Sequence, residues 1–141
     1  MFILVRPQLG ENIGASARAM LNFDLECMRI VSPRDGWPNS RADALASGAG
    51  RVLSNACLFE STTEACLDLT YIFATTARSR GLTKDIFSPR KAGKLINKLV
   101  AKGERVGILF GSERAGLENS DIVKARAIIS VPVNENFSSI N

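Results

Sequence analysis

Hydrophobic residues recur along this chain in two alternating rhythms. Short apolar runs stand at Phe2–Val5, Met28–Val31, Leu58–Phe59, Tyr71–Ala74, Val106–Phe110 and Ala127–Val131. Runs of this kind, bounded by polar or turn residues, predict buried β-strands. Between them lie stretches with helical spacing. Ile13, Ala17, Met20 and Leu21 share one face of a helix, with Asn12 as its predicted N-cap. Ser88-Pro89 supplies the cap and first-turn proline of another, whose apolar face is Ala92, Leu95, Ile96, Leu99 and Val100 and whose stop is Gly103. Shorter helices are predicted near Asp43–Ala49, from the capping box Ser61-x-x-Glu64 to about Leu69, and over Ser120–Ala125. The stretch Arg34–Asn39, with its proline, glycine and aspartate, reads as loop. Strands separated by amphipathic helices predict an α/β domain over residues 1–141, with a mainly parallel sheet flanked by helices.

Sheets of that type bind ligands beyond the carboxyl ends of their strands. Three loops there are candidates: Arg6–Glu11, Gly111–Gly116 and Pro132–Phe137. The loop Thr75–Gly81 joins them.

Composition narrows the chemistry. The chain has no histidine, which excludes a Ser-His-Asp triad, a Cys-His pair and a histidine general base. Its three cysteines, Cys27, Cys57 and Cys66, are odd in number and widely spaced, which argues against a disulfide framework and against a structural zinc site, so no metal is expected. No apolar run is long enough to span a bilayer, and Met1–Val5 is too short for a signal peptide, so no membrane partner is expected and the expected location is cytoplasmic. The net charge of +4 hints at a nucleic-acid partner. Between Arg78 and Lys98 seven basic residues (Arg78, Arg80, Lys84, Arg90, Lys91, Lys94 and Lys98) face one acid, Asp85. That run is either a solvated helix face or an RNA-contacting surface.

Several nucleotide motifs fail. Gly111 and Gly116 have P-loop separation, but Leu117 and Glu118 follow where Lys and Ser/Thr are required. Gly48-Ala49-Gly50 is followed by Leu53 where a dinucleotide fingerprint needs a third glycine. Three positive features remain. In Asn12-Ile13-Gly14-Ala15-x-x-Arg18, a capped helix start with an arginine suits a phosphate, or is an ordinary capped helix with a surface arginine. In Phe110-Gly111-Ser112-Glu113-Arg114-Ala115-Gly116-Leu117, Gly111 lets a flat ligand or another backbone approach and Glu113 can accept backbone N–H groups of a neighbouring loop, unless this is a turn with two solvent charges. Val131-Pro132 leads to Phe137-Ser138-Ser139-Ile140-Asn141, where a serine would cap a further helix or where a plain loop runs.

In this order the three motifs resemble those of the TrmH/SpoU branch of the SPOUT RNA methyltransferases, over essentially all 141 residues. Within that branch, Phe110–Leu117 and Ala74-Thr75-Thr76-Ala77-Arg78-Ser79-Arg80 look most like the members that methylate ribose in the tRNA anticodon loop. The resemblance implies a SPOUT fold with a C-terminal trefoil knot, a feature that periodicity alone does not suggest. It implies S-adenosyl-L-methionine as methyl donor, held by backbone at Thr75, Thr76 and Ala77, at Gly111, at Val131, and at Ser138, Ser139 and Ile140. It implies Arg18 as the catalytic arginine, Asn12 and Glu113 as residues that order the site, and a homodimer in which the partner subunit helps complete each site. The third motif stops at Asn141, where the family continues into a helix.

The implied activity is ribose 2′-O-methylation of RNA, with tRNA as the substrate the resemblance implies, and it needs neither histidine nor metal. A guanidinium stays protonated in proteins, so Arg18 is expected to clamp the phosphate beside the reacting hydroxyl and not to act as base. Trp37, the sole tryptophan, either contacts RNA or seals its loop against the fold. The competing readings are a non-catalytic RNA-binding or dimerisation module of the same fold, and a flavodoxin-like small-molecule domain.

Overall fold

The computed structural model describes residues 1–77 and 83–133. Seven strands form one sheet in the order β3-β2-β1-β6-β4-β7-β5. They are β1 (Phe2–Val5), β2 (Met28–Val31), β3 (Cys57–Phe59), β4 (Tyr71–Thr75), β5 (Asp85–Phe87), β6 (Val106–Phe110) and β7 (Ala127–Ile129). Every neighbouring pair is parallel. All carboxyl ends therefore open on one edge.

Alternation along the strands feeds two layers. Ile3, Val5, Val31, Ala74, Leu109 and Ile128 point to one face, covered by the 3-10 turn Glu64–Cys66 and by α5 (Asn119–Ile122). The other face is shared. Over β1 and β2 it carries α1 (Gly10–Leu21), α2 (Ser40–Ala46) and α3 (Gly50–Ser54). Over β4, β6 and β7 it carries α4 (Pro89–Ala101), docked by Ala92, Leu95, Ile96 and Leu99 as the spacing predicts. Between the two helix groups a groove of about 820 Å³ stays open over β1 and β6, lined by Phe2, Ile96, Val100, Ile108, Phe110 and Val131. The rings of Phe2 and Phe110 stack on its floor, 5.9 Å between centroids.

Several boundaries differ from the sequence expectation. The helix predicted from Ser61 to Leu69 is a single turn. Ser61 Oγ does accept the Glu64 amide at 3.2 Å, but the Arg29 guanidinium takes the Ala65 carbonyl at 2.6 Å and grips Asp68. That carbonyl is the one a continuing α-helix would offer to the Leu69 amide, which turns to Cys66 instead. The helix expected at Asp43–Ala49 begins earlier, because Asn39 caps it by accepting the Arg41 and Ala42 amides. The last strand ends at Ile129, short of the predicted Val131. Strand β5, with only the pair Ile86-Phe87 after Asp85, is not among the predicted strands; it lies along the edge that β7 offers, pairing Ile86 with Ile128.

Candidate functional site

The first helix starts two residues before its predicted cap. Leu9, in extended conformation, precedes Gly10, and Asn12 lies inside the first turn. Asn12 is thus not the N-cap. Its side-chain amide instead donates to Glu113 Oε1 at 2.8 Å. The same carboxylate accepts the backbone amides of Gln8 at 2.8 Å and Leu9 at 3.2 Å. Glu113 therefore ties the residues just ahead of α1, and a side chain of its first turn, to a loop 101 residues away. Burial pushes the Glu113 carboxyl upward, but the bonds from Asn12 and the two amides outweigh it and hold it below the usual carboxylate range. Of the two readings open for Glu113, acceptance of a neighbouring loop's amides is the one the structure realises.

The turn carrying Glu113 is closed on itself. The Gly116 amide donates to the Ser112 carbonyl at 2.9 Å, and the Ser112 amide returns the bond to Gly116 at 3.3 Å. Gly111 makes this closure possible, since a Cβ there would lie 2.1 Å from the Gly116 carbonyl carbon. The backbone that approaches Gly111 is its own loop.

Thr75, Gly111 and Val131 come together as expected. They end or follow β4, β6 and β7, three adjacent strands in which Ala74 pairs with Leu109 and Thr75 with Ile129. Thr75 turns its hydroxyl inward to the Leu109 carbonyl at 2.8 Å, and the Thr76 amide is spent on the Ile129 carbonyl at 3.2 Å. Ala77 and Val131 are exposed. Thr75, Phe110 and Val131 border the apolar groove, so the strand ends abut a flat apolar wall. Ser138, Ser139 and Ile140, like Arg78 and Arg80, lie outside the described residues.

Arg18 is exposed and sits in the last turn of α1. It is eight residues beyond Gly10, roughly 12 Å along the helix axis. Of the two readings open for this motif, a cradle of helix start plus arginine is therefore not assembled within the chain. Among the described residues no acid pairs with Arg18. Gly14 faces α2 and not a ligand: a Cβ on it would lie 2.2 Å from the Ala42 carbonyl oxygen. Trp37 is partly buried and packs against the α1–α2 core, as the reading in which it seals its loop requires.

Two features escaped the sequence reading. One is a network at the carboxyl end of β1, where Asp121 receives Arg6, Thr62 Oγ1 at 2.7 Å and the Glu118 amide at 3.0 Å. Its only sequence trace is the spacing of Glu118 and Asp121 around a short helix start. The other is Lys84. Its ammonium donates to the Ala125 carbonyl at 2.6 Å and to Val123 at 3.3 Å, closing the end of α5. The exposed basic residues nearby are Arg90, Lys91, Lys94 and Lys98 on α4. Among the described residues no cluster of Cys, Asp and Glu is arranged to hold a metal, and no helix is long and apolar enough to cross a membrane.

This geometry is shared by known proteins. The crystal structure of TrmJ from Z. mobilis ZM4 superimposes with a TM-score of 0.91 at 55% identity, covering 99% of this chain and 61% of that one. The tRNA (cytidine/uridine-2'-O-)-methyltransferase TrmJ of Klebsiella pneumoniae subsp. pneumoniae is 36% identical over 141 residues, covering 99% of this chain and 56% of that protein. An uncharacterized tRNA/rRNA methyltransferase of Haemophilus influenzae is 33% identical over 139 residues, again covering 99% of this chain and 56% of the other. The chain thus spans somewhat more than half the length of these relatives. The sequence profile of the SpoU rRNA Methylase family matches residues 1–141 without interruption, and the chain belongs to that family.

Proposed function

We propose that this chain transfers a methyl group from S-adenosyl-L-methionine to a ribose 2′-hydroxyl of RNA, with tRNA as the substrate. The observation that carries the reading is the clamp of Glu113 on Gln8, Leu9 and Asn12. It fixes the start of the arginine-bearing helix against the loop that follows the central strand β6. The relatives named for tRNA ribose methylation share this chain along its whole length.

The donor would rest on the ends of β6, β4 and β7. Backbone at Thr75, Thr76, Ala77, Gly111 and Val131 would hold it, with Ser138, Ser139 and Ile140 completing the wall. The residues suit the group, because an adenine needs a flat apolar surface and a few backbone partners, and the strand ends bring both together. Bound there, the cofactor supplies an electrophilic methyl on a cationic sulfur. The chain itself must align the ribose hydroxyl and steady the charge that develops on it. Arg18, permanently charged and unpaired among the described residues, suits a clamp on the neighbouring phosphate. Its place two turns from the Glu113 cluster supports a homodimer in which Arg18 serves the partner's site. The open apolar groove supplies surface for such an association. A knotted C-terminus is part of the same reading. It is supported by β7 lying between β4 and β5, which only residues 76–84 connect. An RNA substrate places the work in the cytoplasm.

The test is transfer of labelled methyl from S-adenosyl-L-methionine to unmodified tRNA, with the product nucleotide identified by mass spectrometry. Label on a ribose oxygen is expected. Arg18→Ala should abolish transfer while leaving cofactor affinity within about threefold, since it lies away from the strand ends. Label on a base, or cofactor binding lost together with activity in Arg18→Ala, would overturn the assignment.

A further inference from the structure

Asp121 stands where three distant segments meet. It is 2% exposed, yet it accepts bonds from Arg6, Thr62 and the Glu118 amide. Arg6 is the first residue after β1 and has φ of 51°, a left-handed conformation that a non-glycine side chain rarely adopts. Something must hold it there. Its amide is tied to the Val31 carbonyl at 2.8 Å, and its guanidinium is tied to Asp121, with the Glu118 carboxylate 3.5 Å from Nε. Two and three residues on, the amides of Gln8 and Leu9 are held by Glu113. The loop from Arg6 to Leu9 is thus pinned at both ends. Both pins, Glu113 and Asp121, come from the single segment after β6, whose Ser112–Gly116 bridge and buried Leu117 keep it rigid between them.

We propose that Asp121 is a positioning residue: through Arg6 it sets the β1–α1 loop against the Glu113 turn, and so fixes where α1 carries Arg18. Its catalytic meaning rests on the function proposed above; its geometric meaning does not. The plainer alternative is that Asp121 only caps α5. The two differ in what they need from the side chain. A cap needs an acceptor oxygen, which asparagine retains. Holding a guanidinium at a left-handed residue needs the charge.

Asp121→Asn separates them. Amide hydrogen exchange, read residue by residue, should speed by about 10-fold at Gln8 and Leu9 while Ile122, Val123 and the sheet amide of Ile30 keep their protection. In tRNA methylation kcat should fall by about 10-fold with KM unchanged, and pairing Asp121→Asn with Glu113→Gln should cost less than the two losses multiplied, because both act on one loop. Unchanged exchange at Gln8 and Leu9, or equal loss of protection in α5 or throughout the sheet, would overturn the proposal. Should Asp121→Asn not fold, Arg6→Gln removes the same charge pair at a half-buried position and gives the same readout. If the wild-type protein transfers no methyl group, the functional reading fails by itself, and the exchange measurement still decides whether Asp121 positions the loop.

Discussion

Gly14→Ala sets two opposing effects against each other inside α1. Replacing a mid-helix glycine by alanine favours the helix by about 1 kcal/mol. Against this, the new Cβ would stand 2.2 Å from the Ala42 carbonyl oxygen, 3.0 Å from its carbon and 3.1 Å from the Ala46 nitrogen. A carbon–oxygen contact settles near 3.3 Å, so α1 and α2 must part by about 1 Å. The obstacle is backbone, and no rotamer change relieves it. The displaced helices share Ile13, Ala17, Ala42 and Ala46, all at most 1% exposed, so the gap opens in a packed layer. Overpacking of this kind costs typically 1–3 kcal/mol and occasionally more. A gross cost of about 3 kcal/mol less the helix gain leaves about 2 kcal/mol, which for a chain of this size lowers Tm by roughly 6–10 °C. Thermal unfolding followed by circular dichroism measures it. Adding Ala42→Gly should bring no recovery, because the clash is with the carbonyl and not the methyl group. A rise in Tm, which propensity alone predicts, would refute the reasoning.

Other perturbations test the site and its surroundings. Glu113→Gln keeps one acceptor oxygen but turns an amide toward donors; losing a charge-assisted bond is worth about 1.5–3 kcal/mol, so methyl transfer should fall roughly 10- to 100-fold, and wild-type kinetics would remove Glu113 from the site. Charge reversal at Arg90, Lys91 and Lys94 should weaken RNA binding and reduce the slope of log affinity against log salt by about 0.7–0.9 per lost phosphate contact, whereas an unchanged slope returns these residues to a solvated face. Lys84→Glu should instead lower Tm, because its ammonium satisfies the carbonyls of Val123 and Ala125. Acid should destabilise the fold through Asp68, held down at about 2 by the Arg29 guanidinium. With its folded value below the ordinary 3.8, its contribution is complete above that pH and drains away as pH falls toward 2. Glu113 and Asp121, also lowered, act in the same sense. Tm measured from pH 5 to 2 should fall less steeply in Asp68→Asn, and an identical profile would exclude Asp68.

What the sequence made legible was local. Apolar runs located six of the seven strands, and Ser88-Pro89 located α4, because burial and capping are written within a few neighbouring residues. What it hid depends on distant partners. Asn12 satisfies every local rule for an N-cap, but the helix begins at Gly10 and the Asn12 side chain is bonded to Glu113, from the loop after the neighbouring strand β6. Ser61-x-x-Glu64 opens a helix that Arg29, from β2, cuts off by claiming a carbonyl. Strand β5 has half-exposed Ile86 and acidic Asp85, and only the edge of β7 makes it a strand. At the site the family motifs pointed to Asn12, Glu113 and Gly111 by type and order. Arg6 and Asp121 stayed hidden because neither is unusual until β1 and α5 are brought together.

The strand order also dictates a timetable for the nascent chain. Strand β1 lies between β2 and β6, and Phe2 pairs with both Met28 and Ile108. The first pairing needs only the opening quarter of the chain; the second waits until most of it has left the ribosome. During that interval one edge of β1 and the aromatic face of Phe2 are bare. Strand β7 is later still, and must insert between β4, already beside β6, and β5, which pairs with β7 alone. Parallel pairing over such separations is slow to form and exposes strand edges to wrong partners. The last strand in chain order therefore fills an interior place in the sheet and not its rim, and β5 has no strand to pair with until β7 arrives.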